Sequence, residues 1–302
     1  MTSPMLPTRP ATLATVLLVL TALFWSGNFV LARAMHASVP PMTLSFARWT
    51  IALLLLLPFG LRPALAQRAL WLPHWRRILL LALLGVTAFN SLAYWGLQYT
   101  AATNAVLLNS FIPILIALFG ALFFGLRLGA RQMVAIAISF AGVLAIVAHG
   151  EPARLLALDI NQGDAIVFLA MVAWAFYTLL LRGLPAGLDR IGLLTVLVAV
   201  GLVGILPFFL LELAHGRIAP LNAATLATFA YVGTLPSVAA YHFYNLGVAR
   251  VGAARAGSFI HLMPAFGALL AWLFLGEAIH AYHLVGILLI LAGVALAARG
   301  GK

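Results

Sequence analysis

Ten nearly unbroken apolar runs follow one another along this chain. They fall at about 12–34, 42–60, 77–99, 104–125, 131–149, 163–183, 191–213, 224–248, 254–275 and 281–298. A helix rises 1.5 Å per residue, so about twenty residues cross the roughly 30 Å of hydrocarbon in a bilayer. Open strands cannot satisfy their backbone in lipid, and the ten-residue alternation of a membrane barrel is missing, so each run reads as a helix. The composition agrees: 65% of the residues are hydrophobic and only 8% charged, and a soluble fold of this size has nowhere to put that apolar surplus. With no cysteine, disulfides and thiol-based metal or redox sites are excluded. The first run follows Arg9 like a signal peptide, but Phe24-Trp25-Ser26-Gly27-Asn28 is no cleavage site, so it reads as membrane-spanning.

The formal charge of +11 would suggest nucleic acid in a soluble protein, yet no basic cluster exceeds Arg76-Arg77. The charge instead sets orientation. With the N-terminus in the cytoplasm, thirteen of the seventeen basic residues fall on the inner side. Arg33, Arg154 and Arg217 fall outside, and Arg48 lies within the second run. Positive charge collects in cytoplasmic loops, so both termini are expected inside. The expected partners are lipid and a small-molecule substrate, not nucleic acid.

The two halves repeat. A shift of 151 residues carries Gly96 onto Gly247, Ala102 onto Ala253, Pro113 onto Pro264, Gly125 onto Gly276 and Gly142-Val143 onto Gly293-Val294 without a gap. A shift of 149 carries Trp25 onto Trp174, Arg33 onto Arg182 and Pro58 onto Pro207. Paired prolines and glycines weigh more than paired leucines, because both have specific backbone roles. Five helices is an odd number, so the second half enters the membrane upside down. The expected fold is an all-α membrane protein of ten transmembrane helices as two inverted five-helix repeats, residues 1–150 and 151–302. Inverted repeats characterise transporters, whose halves rock about a midplane site; a duplicated scaffold without transport is the alternative.

These features carry a family resemblance over essentially the whole chain. In the first repeat it rests on Phe24-Trp25-Ser26-Gly27-Asn28, Phe46-Ala47-Arg48 and the stretch from Ala101-Ala102-Thr103-Asn104-Ala105 to Pro113. In the second it rests on Gly252-Ala253-Ala254-Arg255-Ala256 to Pro264, then Leu275-Gly276-Glu277 to Gly286 and Gly293. The sequence resembles the drug/metabolite transporter superfamily, in particular its EamA-type members, and among them the YddG-type exporters of aromatic and other neutral amino acids. The resemblance implies a bacterial inner-membrane exporter working by alternating access, without a cofactor. It leaves other cargoes open, since further superfamily members carry drugs, phosphorylated sugars or nucleotide conjugates. Leu126 departs from the pattern, standing where the second repeat has Glu277.

Polar groups at membrane depth are costly and are expected to face a cavity. Asn90, Tyr94 and Gln98 share one helical face, as do Ser237, Tyr241 and Asn245. Trp25, Asn28, Asn109, Trp174, Tyr177 and His261 add further polar or aromatic groups. The candidate substrate contacts are Trp25, Asn28, Asn90, Tyr94, Asn109, Trp174, Tyr177, Tyr241 and His261, with Pro113 and Pro264 as kinks or hinges. Each also has a structural reading, as interhelical glue or headgroup belt; Gln98 and Tyr99 are assigned to the belt. Arg48 is read as an anchor whose stem snorkels outward, with attraction of a substrate carboxylate as the alternative.

All six acids lie at or near helix ends or loops, which disfavours a carboxylate proton relay. His242 and His261 are the buried groups that titrate near neutrality, and transport is expected to be facilitated or weakly pH-coupled. Glu277, His280 and His283 have a spacing that a metal could use, but they cross a loop, and no metal is expected. An intramembrane enzyme lacks its nucleophile motifs or paired buried carboxylates, and an ion channel lacks charged rings or filter repeats. The expectation is a transporter, not an enzyme.

Overall fold

The computed structural model describes residues 9–100, 102–127, 129–156, 161–185, 187–275 and 278–298. Ten membrane helices follow in order: α1 (Arg9–Met35), α2 (Pro41–Ala66), α3 (Arg68–Gly96), α4 (Asn104–Phe124), α5 (Ala130–Val147), α6 (Gln162–Gly183), α7 (Arg190–Ala214), α8 (Ala223–Val251), α9 (Ala253–Leu275) and α10 (Ala281–Ala298). No strand occurs among the described residues. Nine of these segments are long and apolar enough to cross a membrane. The tenth, α9, is segmented into Ala253–Ser258, a tight turn at Phe259–His261, and Leu262–Leu275. Its repeat mate α4 is likewise interrupted at Ser110–Phe111 before resuming at Ile112. Both breaks sit just ahead of a proline, Pro113 or Pro264, whose ring removes a helix hydrogen bond and crowds the preceding turn.

Close helix contacts run mainly between the halves. α5 packs along α10, α2 along α7, α1 against α8 and α9, and α6 against α3 and α4. The last two groupings are mates: exchanging the halves turns α1–α8 and α1–α9 into α6–α3 and α6–α4. Apolar side chains gain little by leaving lipid for protein, so small residues that let backbones approach drive such packing. At α5–α10 a Cβ on Gly142 would lie 2.6 Å from the Gly286 carbonyl oxygen, and one on Gly293 would lie 2.6 Å from the Ala135 carbonyl oxygen.

The acids cap helices. Asp164 closes a capping box with Asn161 at the start of α6 and accepts hydrogen bonds from Thr100 and Asn104, tying α6 to the α3–α4 connection. Glu212, in the last turn of α7, accepts from the Met42 N–H (3.0 Å) and the Thr43 N–H (2.8 Å). It thereby caps α2, whose own N-cap residue, Pro40, offers no side-chain acceptor. Asp189 caps α7 at the Gly192 N–H, and Glu151 pairs with Arg154 at the surface, which holds its carboxyl below the usual range. Asp159, Glu277, Arg299 and Lys302 lie outside the described residues, so the Glu277-His280-His283 spacing cannot be followed beyond its histidines, which stack on Tyr282.

A cavity on the repeat axis

Two short π-helical stretches, Leu83–Ala88 in α3 and Leu235–Ala239 in α8, lie one repeat apart. A π turn interrupts the i→i−4 ladder and leaves carbonyls for other donors. Here the carbonyls of Gly85 and Pro236, themselves separated by 151 positions, each take a donor from the opposite half. The Tyr241 hydroxyl donates to Gly85 O (2.6 Å), and Trp25 Nε1 donates to Pro236 O (3.1 Å).

The contact between halves continues through further repeat mates. Asn90 Nδ2 donates to the hydroxyl of Tyr241 (2.9 Å), 151 residues away. His261 Nε2 lies 2.9 Å from the carbonyl oxygen of Ser110, also 151 residues away, a carbonyl at the break in α4. Trp25 and Trp174 meet edge to face, with ring centroids 5.0 Å apart. Residues related by the duplication touch one another, which places them at the pseudo-twofold axis.

A cavity of about 280 Å³, counting the part open to solvent, lies there, lined by Trp25, Asn28, Phe29, Phe89, Asn90, Asn109, Ile112, Trp174, Ile260 and Met263. The walls come from α1, α3 and α4 of the first half and α6 and α9 of the second. The space is narrow, with hardly room for one water at a time, so a metabolite enters only when the halves separate. Trp25 also borders a smaller cleft between α1, α8 and α9.

Five of the nine candidate contacts line the cavity: Trp25, Asn28, Asn90, Asn109 and Trp174. Tyr94 stands behind the wall, donating to Asn28 Oδ1 (2.7 Å). Tyr241 packs edge-on against Trp25 and Trp174. Tyr177 packs at a tilt against Trp174 and donates to Asn245 Oδ1 (2.7 Å), and it does not line the cavity. His261 is buried between Ser139 and Ser110 and does not face the cavity. Pro113 and Pro264 lie beside lining residues at the helix breaks. The apolar lining residues Phe29, Phe89, Ile112, Ile260 and Met263 were not singled out from sequence, because nothing distinguishes them there from lipid-facing neighbours.

Arg48 corrects the sequence reading. It does not snorkel: it is completely buried, about 10 Å along α2 from its start. Nε donates to Ser237 Oγ (2.7 Å). Nη1 donates to Asn90 Oδ1 (2.6 Å), Tyr94 Oη (2.7 Å) and Asn28 Oδ1 (3.3 Å). Nη2 has no partner. The guanidinium lies 4.9 Å from the Trp49 ring centre, a cation–π contact. Among the described residues no carboxylate approaches it, the one ion pair being Arg154–Glu151. The outward reading fails because the neighbouring helices bring four oxygen acceptors inward, which no local pattern around Arg48 reveals.

The model of the EamA-like transporter family matches residues 12–148 and again residues 161–299. The chain is 30% identical over 286 residues to a "probable terminal-alkyne amino-acid exporter" of Streptantibioticus cattleyicolor, covering 93% of this chain and 92% of that one. It is 29% identical over 284 residues to an uncharacterized transporter of Archaeoglobus fulgidus, covering 93% and 96% of the two chains. A "probable amino-acid metabolite efflux pump" of Escherichia coli shares 22% identity over 92% of each chain. One solved crystal structure superposes with a TM-score of 0.71 at 21% identity, covering 94% of this chain and 96% of the other, a likeness of fold. With two copies of the family's unit, ten helices and a central cavity lined by both halves, the chain belongs to the EamA-like transporter family of the drug/metabolite transporter superfamily and is a multi-pass membrane transporter.

Proposed function

We propose that this transporter exports neutral amino-acid-like metabolites across a bacterial plasma membrane by alternating access at the axial cavity. Residues 1–150 and 151–302 act as the two rocking units, and both termini face the cytoplasm. The observation that carries this reading is the lining: an aromatic and amide wall contributed by both halves. Trp25, Trp174, Phe29 and Phe89 suit a flat or hydrophobic side chain. Asn28, Asn90 and Asn109 offer hydrogen bonds to backbone-like polar groups. Among the described residues no acid lines the cavity, which disfavours a cationic cargo and a carboxylate-borne proton. The Streptantibioticus relative is a probable terminal-alkyne amino-acid exporter and the Escherichia relative a probable amino-acid metabolite efflux pump, which supports an amino-acid-like cargo.

The test is counterflow in proteoliposomes with a panel of labelled amino acids, sugars and nucleotides. Saturable exchange of neutral amino acids is expected. Exchange confined to sugars or nucleotides, or no saturable exchange, overturns the cargo. Labelling of tags at the two ends checks orientation: both are expected on the cytoplasmic face, and opposite faces refute the inverted arrangement.

A further inference from the structure

A guanidinium is a donor-only group with five N–H bonds and a permanent charge. Arg48 spends its Nε and Nη1 donors on Ser237, Asn90, Tyr94 and Asn28, and leaves Nη2 buried without an acceptor. Fully enclosed charge is unfavourable unless matched by an opposite charge, and none of the described carboxylates supplies one. A neutral amide in its place could cross-link the same helices without that cost. We propose that Arg48 is the receptor for the substrate's carboxylate, and that the transporter therefore selects carboxylate-bearing cargo over the matching amides and amines. This rests on the transport reading above and specifies the chemistry of its substrate.

The placement fits. Asn28 and Asn90 line the cavity, and both give their side-chain oxygens to Arg48 Nη1. Because Arg48 only donates, it forces both amides to turn oxygen inward and NH2 away from it. The Asn90 NH2 goes to Tyr241, and Asn28 is itself a lining residue of the cavity. A substrate thus meets an amide donor surface with a positive charge one hydrogen bond behind it. Arg48 itself is buried behind the lining, so a carboxylate arriving there accepts from the amide first and gains the unsatisfied Nη2 only when the halves separate, while its side chain rests on Trp25 and Trp174. The charge is also unpaired within the repeat: a shift of 149 carries Arg48 onto Leu197. Among the described residues, a cavity otherwise built from both halves therefore has one cationic anchor for an anion, which fixes a single substrate orientation.

The experiment compares a neutral aromatic amino acid, its amide and its decarboxylated amine as competitors in counterflow on the wild-type protein. The same three compounds are titrated against the intrinsic tryptophan fluorescence of the purified transporter. The amide and amine are expected to be weaker by about ten- to a hundredfold, the range for a lost hydrogen bond to a charged group. Equal potency of all three overturns the proposal without any variant. Arg48→Gln is expected to lower acid affinity to that of the amide, and Arg48→Lys to keep part of the preference; an Arg48→Gln protein that still favours the acid also overturns it. If counterflow finds no amino-acid exchange yet fluorescence shows acid preference lost in Arg48→Gln, the cargo assignment fails and the carboxylate anchor stands. If neither method distinguishes acid from amide, the anchor is refuted.

Discussion

Asn90 and Tyr241 occupy the same position in the two halves, 151 residues apart, and are hydrogen-bonded to each other at 2.9 Å. Ser110 and His261 repeat the relation at α4 and α9. An interaction between duplicated positions lies on the symmetry axis, so exchanging the conformations of the halves maps it onto itself. Contacts off the axis exchange partners instead.

Trp25 and Trp174 show such an exchange half-completed. Trp25 Nε1 donates to Pro236 O, while Trp174 Nε1 is buried beside the Tyr244 ring and makes no hydrogen bond of comparable geometry. The carbonyl equivalent to Pro236 O, that of Gly85, is held by Tyr241. If each half adopts its mate's conformation when the transporter turns over, Trp174 reaches Gly85 O and Trp25 releases Pro236 O in the other state. Trp25→Phe is then expected to shift the population toward that state by about fivefold, the worth of one hydrogen bond, and Trp174→Phe to shift it oppositely. The chain has no cysteine, so a single Phe29→Cys reporter labelled from either face reads both populations. Shifts of the same sign in the two variants contradict the exchange.

Losing both indoles removes the shared aromatic wall. Trp25→Ala with Trp174→Ala is expected to lower flux at unchanged membrane abundance, measured by counterflow beside a quantitative blot. Undiminished flux assigns both rings to packing alone.

The α5–α10 contact tolerates no side chain at Gly142, where a Cβ would meet backbone of α10. Gly142→Leu is expected to destabilise the folded transporter by about 3 kcal/mol or more, since overpacking against backbone cannot relax through a rotamer. A thermal melt in detergent checks this, with the exposed Leu288→Ala on α10 as a control. Equal melting temperatures would show that the two helices separate without cost.

Glu212 acts on α2 as a carboxylate cap. Glu212→Gln keeps the shape but weakens charge-assisted bonds to Met42 and Thr43, and is expected to cost about 1 kcal/mol of stability. Because it lies at a helix end and does not line the cavity, the half-saturation concentration for substrate is expected to stay the same. A changed half-saturation with unchanged stability would reverse that assignment.

His261 is enclosed between Ser139 and Ser110, and His242 in α8 is half-buried. Neither lines the cavity. Replacing both by Gln is expected to preserve whatever dependence on a pH gradient the wild type shows. Complete loss of that dependence would make one of them a proton carrier.

The positions of the ten helices were legible in the sequence because burying a peptide in lipid demands a long apolar run, and that demand is local. The duplication was legible too, since Pro113, Pro264, Gly142 and Gly293 recur at fixed spacing. So were Trp25, Asn28, Asn90, Asn109 and Trp174 as costly groups at membrane depth. Sequence alone did not reveal that Tyr177 and His261 stand behind the wall, or that Phe29, Phe89 and Met263 belong to it, because apolar residues look alike whichever neighbour they face. The direction of Arg48 was beyond its reach for a sharper reason. A long charged side chain turns toward whichever environment solvates it better, and its inward solvent is assembled from Asn28, Asn90, Tyr94 and Ser237, drawn from three other helices, Ser237 lying 189 residues away. Only the packed bundle brings those oxygens together.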